Sequence, residues 1–108
     1  MIARVWSAQT TPAQAPAYAR HLCDQVLPAI RKVPGYAGGK LLERALAGAV
    51  EIVVITFWES AEAVQRFAGA DLEEAVVAEE AAALLTHFDR RVRHYEVVVE
   101  EGKGGPGP

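Results

Sequence analysis

Apolar positions along the chain switch between two periods, and each switch marks an element. Residues 2–9 read as a strand: Ile2, Val5 and Trp6 suit a pleated surface, and the stretch ends in Gln9-Thr10-Thr11. From there the period lengthens. Thr11 suits a helix N-cap, Pro12 a first helical position and Gln14 the place of a capping-box glutamine. Tyr18, Leu22, Val26, Ala29, Ile30 and Val33 recur at three- and four-residue steps, which predicts a helix over about 12–32. Pro28 lies inside that stripe; it has no N–H to give, so it predicts a kink near Gln25. Pro34-Gly35 ends the helix.

Strand character returns over 36–46, where Gly38-Gly39 predicts a bulge or bend. Ala47-Gly48-Ala49 reads as a hairpin turn into 50–58, a strand apolar on both faces and therefore central to a sheet. Ser60 caps a second helix whose buried stripe is Ala61, Val64, Phe67 and Ala68. Gly69-Ala70-Asp71 interrupts it, residues 72–85 read as helix again, and 88–100 as the last strand. The order β-α-β-β-α-β predicts a ferredoxin-like α+β fold, a four-stranded antiparallel sheet with both helices on one face. A faint internal repeat agrees: Trp6-Ser7 leads into the first helix and Trp58-Glu59-Ser60 into the second.

The strand at 50–58 carries a further expectation. Alternation places Glu51, Val53, Ile55 and Phe57 on one side and Ile52, Val54, Thr56 and Trp58 on the other. Helices on one face hide only one of these sets. Burying the other calls for a second copy, a two-fold homodimer packed sheet on sheet.

Composition narrows the class. With 108 residues, 51% hydrophobic and 23% charged, the sequence fits a single globular domain over 1–100. The end, 101–108, is Gly- and Pro-rich and reads as a disordered tail. The net charge is -3, and Arg90, Arg91 and Arg93 form the only dense basic patch, which argues against a nucleic-acid partner. The single cysteine, Cys23, permits no internal disulfide and reads as a small buried hydrophobe in a reducing compartment. The run Ile52–Trp58 is far shorter than the ~20 residues of a membrane helix, and the start lacks a signal-peptide pattern. The expected location is the cytoplasm, with no membrane partner.

Several stretches carry a family resemblance. Met1-Ile2-Ala3-Arg4-Val5-Trp6, the turn Val33-Pro34-Gly35-Tyr36-Ala37-Gly38-Gly39, Phe57-Trp58-Glu59-Ser60-Ala61-Glu62-Ala63, Phe67-Ala68-Gly69 and His94-Tyr95-Glu96-Val97 span most of residues 1–100. Together they resemble the antibiotic-biosynthesis-monooxygenase type of dimeric α/β barrel. The resemblance implies the same fold and dimer. Its members include haem degraders and cofactor-free oxygenases acting on polyketide quinols and anthrones. The haem-degrading branch uses an Asn on strand one and a Trp and a His on and after helix two; Ser7, Phe67 and Val76 or a neighbour stand there instead, which disfavours haem degradation. The cofactor-free branch asks for an apolar pocket, a hydrogen-bonding group to steady an anion and a base. It needs no cofactor, and no metal-ligand spacing or dinucleotide loop is visible.

Five residues are candidates for the site. His94, on a half-buried strand beside Tyr95, is the candidate catalytic base; its plainer account is a packed or interface histidine. Ser7, His21, Trp58 and Phe67 are candidate substrate contacts. Ser7 would offer a hydroxyl if it faced the helices, opposite in sense to Trp6. His21, near Tyr18 on helix one, would point into a pocket or into solvent. Trp6 and Trp58 would wall an aromatic site or pack in core or interface. Phe67 would line the same pocket from helix two. The functional expectation is a cofactor-independent monooxygenase for a small aromatic or polyketide-like substrate. The alternative is a non-catalytic dimeric small-ligand-binding or stress-response protein of the same fold.

Overall fold

The computed structural model describes residues 1–102. The expected tail from 103 onward lies outside the described residues. The elements are β1 (Ile2–Thr10), α1 (Ala15–His21), a π-helical turn (Leu22–Val26), α2 (Leu27–Ile30), β2 (Tyr36–Leu46), β3 (Ala49–Trp58), α3 (Ala61–Ala68), α4 (Glu79–Ala82), β4 (His87–Phe88) and β5 (Arg93–Glu96). The sheet is antiparallel in the order β2-β3-β1-β4, with β5 also on β1. The expected α+β architecture is present, with the central position of β3 at 50–58 as its apolar faces required.

The final strand differs from expectation. One strand over 88–100 is replaced by two short pieces on the same edge of β1, His87–Phe88 beside Ala8-Gln9 and Arg93–Glu96 beside Ile2–Val5. Between them the Trp6 indole N–H donates to the Asp89 carbonyl at 2.7 Å, and the Asp89 N–H donates to the Ser7 carbonyl at 3.0 Å. The chain is thus held to β1 while it detours to pair with an earlier segment.

That detour explains the second departure. Residues 72–85 do not form a helix; only Glu79–Ala82 does. Residues 73–75 lie against 90–92 instead. The Ala75 N–H donates to the Arg90 carbonyl at 2.9 Å and the Val92 N–H to the Glu73 carbonyl at 2.8 Å. Arg4 takes the carbonyls of Leu72 and Glu74, the latter at 2.8 Å. Carbonyls bound by a guanidinium and by a neighbouring strand cannot serve a helix, so tertiary pairing overrides the helix propensity of this alanine- and glutamate-rich stretch.

The first helical run follows its caps and its proline closely. The Thr11 hydroxyl accepts from the Gln14 N–H at 3.1 Å, although α-helix begins only at Ala15. The kink expected near Gln25 is the π-helical turn, which widens the helix just ahead of Pro28, where an N–H is missing from the ladder. Ser60 caps α3 as expected, its hydroxyl accepting from the Ala63 N–H at 3.1 Å. The register between β2 and β3 shifts between Tyr36 and Gly38, where the glycine pair predicted a bulge. Cys23 is exposed rather than buried.

Two buried clusters join helices to sheet. One gathers Ala8, Val50 and Ile52 under Tyr18, Leu22 and Ala81. The other packs Trp58 with Ile30, Ala63 and Val64. The opposite face of the sheet carries no helix. Cross-strand partners share a face, so Val5-Ile55-Lys40, Ser7-Val53-Leu42 and Gln9-Glu51-Arg44 form its rows. Leu42 is 47% exposed and Tyr95 51% exposed there. Within the described residues, no helix is long and apolar enough to cross a membrane.

Candidate functional site

Between the helical run and the sheet lies a cavity of about 70 Å³. Its floor is two cross-strand rows, Arg4-Thr56 and Trp6-Val54, presented by the face of β1 and β3 that looks toward the helices. Tyr18, His21, Leu22 and Val26 form one wall from α1 and the π turn, and Phe67 contributes from α3. Val76, Val77 and Ala78, from the irregular stretch before α4, close the other side. His21, Val26 and Ala78 also border a shallow outer depression with Gln25 and Glu80, so His21 stands where the cavity meets the surface.

The π turn matters to this geometry. An extra residue in a helical turn rotates the residues on its N-terminal side relative to those on its C-terminal side. Here Leu22 and Val26, the first and last residues of the turn, line the cavity together with Tyr18 and His21 from α1. The Nε2 atom of His21 is buried and has no hydrogen-bond partner among the described residues. Tyr18 is buried against Trp6, ring centroids 6.3 Å apart, and burial pushes its hydroxyl up to about 12. Across the neutral range Tyr18 is therefore a hydrogen-bond donor, not a base.

The structure brings together two of the expected site residues, His21 and Phe67, with Trp6 between them on the floor. Ser7 is not among the lining residues. It alternates with Trp6 and lies in the Ser7-Val53-Leu42 row of the helix-free face. Trp58 faces the helices but is 0% exposed in the core, stacked on Phe67 at 5.4 Å, edge-on to Tyr36 at 5.4 Å, with its indole N–H on the Thr56 hydroxyl at 2.9 Å.

His94 shares the Arg4 row without lining the cavity. Its Nε2 sits 3.1 Å from Nη1 of Arg4. Arginine can only donate, so this nitrogen accepts and the ring proton lies on Nδ1. The lone pair a base would use is already engaged. Burial and then the neighbouring Arg4 charge hold the His94 pKa below its ordinary value, against a weaker opposing pull from Glu73.

Sequence reading missed Arg4, Tyr18 and Thr56 as lining residues. Arg4 had a signal: it is in phase with Trp6, Ala8 and Thr10, so a charged residue falls on the buried face of a strand. It is 5% exposed, and its guanidinium lies 5.5 Å over the Phe67 ring. Among the described residues no group of His, Cys, Asp and Glu is placed to hold a metal ion.

Residues 1–79 match the sequence family described as antibiotic biosynthesis monooxygenase. The chain belongs to that family. Comparison with curated proteins finds no significant relative. Among solved structures, the haem-degrading MhuD of Mycobacterium tuberculosis, with two haems in its active site, is 26% identical with a TM-score of 0.62; the match covers 94% of this chain and 100% of that one. A Bacillus cereus protein provisionally assigned as an antibiotic biosynthesis monooxygenase matches at 16% identity and a TM-score of 0.69, over 97% and 98% of the two chains. A Streptomyces coelicolor monooxygenase in complex with nanaomycin D matches at 22% and 0.55, over 99% and 91%. The latter two likenesses speak for the fold. The structural neighbours of this chain thus include both a haem degrader and monooxygenases.

Proposed function

We propose that the cavity of this antibiotic-biosynthesis-monooxygenase protein binds a small aromatic or polyketide-like molecule and oxygenates it without a metal or organic cofactor. The observation that carries this reading is the unpartnered, buried His21 Nε2 in a lining otherwise made largely of Trp6, Tyr18, Phe67 and aliphatic side chains. A buried polar atom without a partner is costly unless something visits it. A substrate C–H or O–H acidified by an adjacent carbonyl or ring fits that role. His21 takes the proton, leaving an electron-rich anion that dioxygen oxidises. One oxygen atom then becomes a carbonyl in place of a CH₂ and the other leaves as water, so the substrate supplies all four electrons. Tyr18 donates to the substrate oxygen that gains charge.

Size limits the fit. A cavity of about 70 Å³ is well under the ~300 Å³ where ordinary ligand sites begin. A multi-ring substrate therefore extends through the mouth at His21 and displaces the wall at Val76–Ala78, which has no regular secondary structure to resist it.

The test is oxygen uptake with a panel of anthrones and hydroquinones after exhaustive metal chelation. Uptake should persist, and His21→Ala should lower it on the order of 10²-fold, the usual worth of a general base. Full activity in His21→Ala would remove the base from the account, and no uptake with any of the panel in the wild type would favour the non-catalytic binding reading.

Haem is the second reading, favoured by the 26% likeness to MhuD. Phe67 and Val76 offer no ligand to iron, whereas His21 places one imidazole in the lining, and the macrocycle, like a multi-ring substrate, would have to displace the wall at Val76–Ala78. A haem titration by absorbance separates the two, a saturable Soret shift at one or two equivalents being the result that would promote the haem reading.

The helix-free sheet face supports a homodimer. Val5, Val53, Ile55, Phe57 and Leu42 form an apolar surface there, bordered at one end by the ion pair of Arg44 and Glu51 at 2.7 Å. Ser7 would then be an interface residue rather than a substrate contact.

A further inference from the structure

The floor of the cavity contains a charge that the protein itself does not neutralise. Arg4 is held by the Leu72 and Glu74 carbonyls and by the neutral His94 ring, all of them dipoles. Among the described residues no carboxylate lies within 4 Å of its guanidinium, whereas the exposed Arg44 and Arg91 both have one. Of the three acids of the loop beside it, Asp71 meets Arg91 at 2.6 Å, Glu73 meets the same side chain at 3.3 Å, and Glu74 is exposed and gives Arg4 only its backbone carbonyl. Around Arg4 the cavity offers Phe67, Val76 and Val92. Dipoles solvate a buried cation only in part, and an uncompensated one in apolar surroundings is strongly unfavourable. The Nη1 donors are spent on Leu72 and His94, and one Nη2 hydrogen on Glu74, which leaves Nε–H and the other Nη2–H without a partner among these hydrogen bonds.

We propose that Arg4 makes the floor of this cavity an anion site, so that the ligand carries an ionised oxygen, either a carboxylate or an ionised phenol or enol, at the end that meets β1. This rests on the reading of the cavity as a ligand site and deepens it by fixing the ligand's charge. It also divides the labour within the cavity. His21 handles the neutral, proton-bearing end near the mouth, and Arg4 holds the charge at the floor. The burial of Arg4 lowers its pKa, yet arginine starts so high that it stays charged throughout the working range.

The sign of a single optical titration tests the proposal. The ionised form of 4-nitrophenol absorbs in the visible, and one ring asks for less displacement of the Val76–Ala78 wall than several. An apolar cavity without a usable cation raises a phenol's pKa on binding, whereas a cation at hydrogen-bonding distance lowers it. In excess wild-type protein the apparent pKa should fall by about one unit, equivalent to phenolate binding about tenfold more tightly than phenol. Arg4→Met should reverse the sign and Arg4→Lys should keep it. Because Arg4 also braces residues 72–74, Arg4→Met counts only where its circular dichroism matches wild type; competition on wild type needs no variant. There 4-nitrobenzoate should displace the probe at least tenfold more effectively than the neutral 4-nitrobenzamide, which separates charge from shape, and the affinity of 4-nitrobenzoate against that of 4-nitrophenolate separates the carboxylate from the phenolate. Binding with a raised pKa, or equal competition by the amide, overturns the anion site and leaves the ligand reading standing. No binding of either form overturns both.

Discussion

At the scale of single residues, alternation along β1 decides most of the site. Arg4 and Trp6 face the helices and Ser7 faces away. The sequence shows that Trp6 and Ser7 point oppositely, but not which of them points in. Arg4 held the answer, because its row partner Thr56 belongs to the set that includes the fully buried Ile52 and Trp58. His94 was legible as half-buried and titratable. Its engagement by Arg4 was not, because that contact spans 90 residues of sequence.

The same contact has a measurable consequence. The folded His94 resists protonation while the unfolded one accepts a proton at its ordinary 6.5. The unfolded state therefore binds more protons below that value, and stability falls as the pH drops from about 6.5 toward the lower folded pKa. Thermal unfolding followed from neutral pH to about pH 5 should show this loss, and His94→Gln should flatten that part of the curve. An unchanged slope in the variant would assign the acid sensitivity elsewhere.

At the scale of elements, local signals succeeded where the chain pairs with its near neighbours. The bulge at Gly38, the Ser60 cap and the proline-induced disturbance at Leu22–Val26 all follow from nearby residues. They failed over 72–100, where Glu73 and Ala75 pair with Arg90 and Val92, and Arg4 reaches in from the first strand. No local pattern in an alanine- and glutamate-rich stretch reveals a partner so far away. That stretch became the cavity wall, so the largest departure from the expected fold falls beside the site.

One turn offers a direct check on how the helices sit. Gly35 has φ +93°, and a Cβ there would collide with the Cβ of Ala63 in α3. Both the backbone and the space exclude a side chain. Gly35→Ala should destabilise the protein by about 2–4 kcal/mol through strain and overpacking together, measured by chemical denaturation. A change below about 0.5 kcal/mol, typical of an inconsequential surface site, would mean that α3 can move away freely.

At the scale of the whole molecule, one sheet separates two surfaces of different character. The helix side encloses the cavity and the open side carries Val5, Ile55, Phe57 and Leu42. The double-sided apolarity of β3 makes this division readable from the residues alone. Light scattering should give twice the chain mass at micromolar concentration, and Phe57→Asp should halve it by placing a charge in the joined faces. A wild-type monomer would leave the open face to some other partner.

Everything proposed for the cavity depends on small aromatic molecules entering between the helical run and the sheet. Nuclear magnetic resonance of the wild-type protein titrated with a one-ring aromatic acid tests this most directly. Saturable shifts are expected at the Trp6 indole, the His21 ring and the amides of Val76–Ala78, with Leu42 and Tyr95 on the open face unmoved. Shifts confined to the open face, or none at saturating ligand, would contradict it.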